Sequence, residues 1–109
     1  MENVVFEGLE KTNKVSLPSI PKSEFIILED MSVKGMEEMS SSTSDIHRII
    51  IAIKHLIKDW NLVDKEGKKL PINEDTIRKF SSKDFLVLSE IAGKVFEKTD
   101  KKKETILKK

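Results

Sequence analysis

Between Asp45 and Trp60 the chain carries large apolar residues at a spacing that one kind of backbone accommodates well. Ile46, Ile49, Ile50, Ile53, Ile57 and Trp60 recur at i, i+3, i+4 and i+7, which stacks side chains along one face of an α-helix. Ile51 and Leu56 broaden that face, so the helix needs cover from more than one neighbour. The pattern predicts a helix opening near Ser44 and running to Trp60. Thr43 or Ser44 serves as N-cap, and Asp45 stands favourably against the helix dipole.

Ahead of this helix the chain reads as extended. Val4-Val5-Phe6, Val15-Ser16-Leu17 and Phe25-Ile26-Ile27-Leu28 are short β-prone runs, and Pro18 and Pro21 stop any helix between them. Phe25–Leu28 is the strongest strand candidate, because four consecutive apolar residues need cover on both faces. Ser32 is placed to cap a short helix with Val33, Met36 and Met39 on one side, weakened by Gly35. Met31, Met36 and Met39 form a soft apolar patch, to be read either as core or as an adaptable binding surface. Ser40–Ser44 is a polar connector whose hydroxyls bond to their own backbone.

Beyond Trp60, two apolar runs, Leu62-Val63 and Leu70-Pro71-Ile72, flank Asp64-Lys65-Glu66-Gly67. They predict a small hairpin or wide loop, with Gly67 supplying a positive φ and Pro71 confining the second arm to an edge. Asn73 is an N-cap for a short helix carrying Ile77 and Phe80. Ser81 caps the last helix, with Asp84 in capping-box position and Phe85, Leu88, Ala92, Val95 and Phe96 on one face to about Lys98. Residues 98–109 hold six lysines against two acids and read as a flexible basic tail.

Chemistry is hard to find. The chain has no cysteine, which removes disulfides and thiolate metal sites and favours an intracellular setting. His47 and His55 are about 12 Å apart along a helix, too far to share a metal directly. His55 precedes Asp59 by one helical turn and is expected to bond to it. The Asp64–Gly67 stretch lacks the alternating ligands of a calcium loop, the glycines are scattered, and no serine has the flanking glycines of a nucleophile elbow. The residues predict a protein that is not an enzyme and uses no cofactor or metal. With 109 residues and a net charge of +1, one domain without a strong field is expected. No apolar run is long enough to span a bilayer.

Trp60-Asn61-Leu62-Val63-Asp64-Lys65-Glu66-Gly67-Lys68-Lys69-Leu70-Pro71-Ile72-Asn73-Glu74-Asp75-Thr76-Ile77 resembles the small tail assembly chaperones of tailed bacteriophages. There a helix ends in tryptophan, followed by an Asp-x-x-Gly turn, Leu-Pro, a capped short helix and a final amphipathic helix. Val15–Ser19, Phe25–Leu28 and a short helix opening at Ser32 are similar to the way those proteins begin. The serine connector and the basic tail depart from the pattern. The resemblance implies a chaperone made in the cytoplasm of the bacterial host, binding the tape measure protein, with tail tube subunits or further copies of itself as other partners, and absent from the finished virion. It brings no catalytic residue. Helix-in-groove binding of such a client points to Met31, Met36, Met39, Ile51 and Leu56 as the contact surface, with Trp60, Gly67 and Pro71 structural.

Two other functions compete. One is a small nucleic-acid-associated regulator, because Ile77–Phe80 and Phe85–Phe96 imitate two helices across a tight turn. Only Arg48 and Arg78 are arginines, and the second helix offers no base-reading side chain, so nucleic acid ranks below protein. The other is a structural virion piece such as a connector subunit. The fold expected is mainly α, bordering on α+β, with three or four helices. Residues 1–31 would be an extended section packed on a helical domain over 32–97.

Overall fold

Pro18 and Ser19 turn the first two extended runs back on each other. In the computed structural model, which describes the backbone of residues 1–107 and the side chains of residues 1–97, these runs are β1 (Thr12–Leu17) and β2 (Ile20–Leu28). Val15 stands opposite Phe25 and Leu17 opposite Ile20, so β2 has extra residues at its start. Pro21, which has no N–H to donate, lies in that irregularity. Ser23, buried there, accepts the Leu17 N–H through Oγ at 2.8 Å and donates to the Ile20 carbonyl at 2.6 Å.

The long apolar pattern then divides. Ser32 caps α1 (Val33–Ser40), accepting the Gly35 N–H, and Ser44 caps α2 (Asp45–Leu56), accepting the His47 N–H. The chain leaves the helix at Ile57 without a loop and becomes β3 (Ile57–Trp60), antiparallel to β2. The sheet therefore has three strands in the order β1-β2-β3. The remaining helices are α3 (Glu74–Arg78) and α4 (Ser82–Leu107).

This corrects the expected mainly-α class. The fold is α+β, a three-stranded antiparallel sheet with four helices. The helix predicted to Trp60 ends four residues earlier, because the free edge of β2 supplies ladder hydrogen bonds to Ile57–Trp60. A boundary at residue 31 does not follow the sheet, whose third strand lies inside 32–97. The reason the helical spacing misleads is visible in the register. Ile27 pairs with Ile57 but Ile26 pairs with Asp59, leaving Lys58 as an extra residue. The bulge turns both Ile57 and Trp60 to the core, so an i, i+3 pair is buried from a strand that ordinarily buries alternate residues.

One core joins all layers. Leu17, Phe25 and Ile27 of the hairpin meet Ile50, Ile53 and Leu56 of α2, Ile77 of α3, and Leu88, Ala92 and Val95 of α4. Phe25, Trp60 and Phe80 form a triangle of tilted rings with centroids 5.4, 5.8 and 6.0 Å apart, within the range of favourable aromatic pairing. The predicted hairpin is present. Asp64 N–H donates to the Lys68 carbonyl, Gly67 N–H to the Asp64 carbonyl, and Gly67 has φ +84°. Pro71, exposed, follows directly on that hairpin. The last helix, expected to end near Lys98 and give way to a flexible tail over 98–109, runs on to Leu107; the side chains beyond residue 97 lie outside those described.

Candidate functional site

The residues that the sequence marks as specific have internal work. Trp60 donates from Nε1 to the Leu70 carbonyl at 2.9 Å, which latches the 62–70 hairpin to the core. Asn61 accepts the Glu24 N–H at 2.7 Å and donates to the Lys22 carbonyl at 3.1 Å. Asp64 Oδ1 accepts the N–H groups of Glu66 and Lys68. Asn73 caps α3 by accepting the Thr76 N–H. Ser81 accepts the Asp84 N–H, but the Asp84 carboxylate does not reach back as a capping box would. It is buried and accepts the Ser19 N–H at 3.0 Å, tying the β1–β2 turn to the start of α4.

The titratable side chains assemble where the sequence did not place them. Ser42 Oγ lies 2.8 Å from His47 Nδ1, and His47 Nε2 lies 2.7 Å from Glu74 Oε1. Lys54 bridges Glu74 at 3.6 Å and Glu38 at 3.2 Å, and Glu38 meets His55 Nε2 at 2.8 Å. The chain of contacts thus stitches α1, α2 and α3. The expected His55–Asp59 bond is absent, because Asp59 has left the helix and pairs with Lys69. Hydrogen bonds from His55 and Lys54 hold the Glu38 carboxyl below the usual glutamate range. At Glu74, loss of hydration pushes the carboxyl up, and the hydrogen bond and charge of His47, joined by Lys54, outweigh it. The Lys69 ammonium and the Trp60 N–H lower Asp59.

Ser42, His47 and Glu74 have the outward form of a nucleophile, base and acid. Their surroundings argue for a staple. Ser42 is buried and its Oγ also accepts the Ser44 N–H, while Glu74 is shared with Lys54 and Arg78. Among the described residues no group of three or more histidines and acids is placed to hold a metal ion.

The expected contact residues are not gathered on one surface. Ile51 and Leu56 are only 3% and 2% exposed, and Met31 is also core. Met36 is exposed and Met39 half-buried, while Val33, on the same outward side of α1, is open to solvent. The inward side of α1 is Gly35, set close against His55. Two apolar grooves were missed by sequence reasoning, since each is lined from segments far apart in the chain. One, of about 370 Å³, lies between α2 and α4 and is lined by Met39, Ile49, Ala52, Ala92 and Phe96. The other, of about 490 Å³, lies beside the 62–70 hairpin and includes Ile20, Leu62, Val63, Leu70 and Phe80. Compared with family models, curated proteins and solved structures, the chain matches none.

Proposed function

We propose that the protein is a non-enzymatic assembly chaperone for a long helical client, the tape measure protein of a phage tail. The client's amphipathic helix lies along the α2–α4 groove. The observation that carries this seat is an open apolar trough between two helices, reached from solvent at the exposed Gly93 of α4, one turn before Phe96. A helix laid there covers apolar surface on both chains. The functional reading itself draws on the resemblance over Trp60–Ile77. A nucleic-acid partner has less support: Arg48 is bound to the Ser42 carbonyl and Asp45, and Arg78 to Glu74.

Co-expression with the tape measure protein of the same phage tests this. A complex is expected, weakened at least tenfold by Gly93→Glu, which puts a charge in the groove at an exposed position with room for a side chain and so leaves the fold intact. Purified tails are expected to lack the protein on mass spectrometry. A complex indifferent to Gly93→Glu rejects the groove, and the protein's presence in finished particles rejects the chaperone in favour of a virion component. Among the described residues no helix is long and apolar enough to cross a membrane.

A further inference from the structure

Residues 1–11 contain no helix or strand, apart from a bend at Gly8. Within them Val4, Val5 and Phe6 are 88%, 83% and 84% exposed, a β-prone apolar run with nothing over it. An exposed run of that kind marks a site of association. Its flanks are acidic: Glu2, Glu7 and Glu10 against the single base Lys11. The groove beside the 62–70 hairpin has the opposite character. Its apolar floor of Ile20, Leu62, Val63 and Phe80 is bordered by Lys22 and Lys79, neither of which pairs with an acid among the described residues.

The arm does not lie on this groove in its own molecule, where Val4, Val5 and Phe6 stand exposed. Lys11 is already held in the sheet, its carbonyl accepting the Glu29 N–H. Thr12 stands opposite Leu28 at the open end of the hairpin, and Leu17 opposite Ile20 at the closed end, about 17 Å away at roughly 3.3 Å per residue. The arm's positive φ is at Gly8. A reversal there lays Val4–Phe6 beside Leu9–Thr12, at the wrong end of β1.

From this complementarity we infer that Val4–Phe6 of one copy dock in the apolar groove of a second copy, with Glu2 and Glu7 facing Lys22 and Lys79, in a reciprocal exchange that makes a dimer. The inference stands apart from the chaperone reading and uses a different groove.

Sedimentation equilibrium of the full chain between micromolar and hundreds of micromolar tests it. A monomer–dimer equilibrium is expected, weakened at least tenfold by Phe6→Asp in the arm and by Val63→Asp in the groove. Both residues are exposed, so circular dichroism and melting are expected to stay unchanged. Glu7→Lys and Lys79→Glu each weaken the dimer, and together restore it. A chain monomeric throughout the range overturns the inference. So does a dimer unmoved by both apolar variants, or an arm whose amides are protected in the monomer.

Discussion

Trp60 shows how one side chain serves several parts of the fold. Its ring packs between Phe25 and Phe80, and its N–H satisfies the Leu70 carbonyl. Trp60→Ala removes both and is expected to cost about 3–5 kcal/mol, as large-to-small core changes do. Trp60→Phe keeps an aromatic ring but leaves the Leu70 carbonyl without its donor, an expected cost of about 1–3 kcal/mol. Urea titrations of the three proteins measure both; near-equality of Trp60→Phe and wild type rejects the latch. At this scale the sequence was legible wherever a residue acts on its immediate neighbours. Ser32, Ser44, Asn73 and Ser81 cap as read, and Gly67 takes the positive φ of its turn. Asp84 was misread in part because its partner, Ser19, is remote in sequence.

The helices differ in how much their neighbours dictate. In α1, a Cβ added at Gly35 collides with Met31 Sδ and comes within 3.1 Å of His55 Cβ on α2. The methionine can swing aside, whereas the Cβ of His55 moves only with its backbone. In α4, Gly93 has no such atom within 4 Å. The intrinsic preference for alanine in helices, up to about 1 kcal/mol, is therefore expected in full at Gly93→Ala and lost or reversed at Gly35→Ala. Thermal melts of the two variants check the contrast. The sequence marked Gly35 only as a weak point, and took Val33, Met36 and Met39 for a single face. Packing turned Val33 and Met36 outward because the closest approach to α2 needs the residue without a side chain. The end of α2 was equally hidden, since a bulged strand and a helix both bury an i, i+3 pair.

Across the whole molecule, the Ser42–His47–Glu74–Lys54–Glu38–His55 chain links three helices through groups that, apart from the buried Ser42, stay partly hydrated. Glu38, facing His55 and Lys54, and Glu74, facing His47, Lys54 and Arg78, are both held below their ordinary values. A carboxyl whose pKa is lower folded than unfolded binds fewer protons when folded. Its contribution is present above the unfolded value and is lost as pH falls through the folded one. Stability is thus expected to decline below about pH 4.5, the ordinary glutamate value. The deficit of Glu38→Gln relative to wild type should shrink over the same interval. Urea midpoints from pH 3 to 7 measure it; a deficit constant with pH rejects the contribution. The two grooves belong to this scale too, since each brings together residues more than forty positions apart.

By itself the sequence determined the caps, the turns, the runs that had to be buried and the need of α2 for several neighbours. Each of these follows from contacts within a few residues or from the amount of apolar surface. Tertiary structure alone decided that Ile57–Trp60 pairs with Phe25–Ile27, which side of α1 faces solvent, and which acid each histidine meets. Those outcomes depend on hydrogen bonds and close packing between distant segments: the free edge of β2 outcompeted the last turn of a helix that the local pattern favoured equally well.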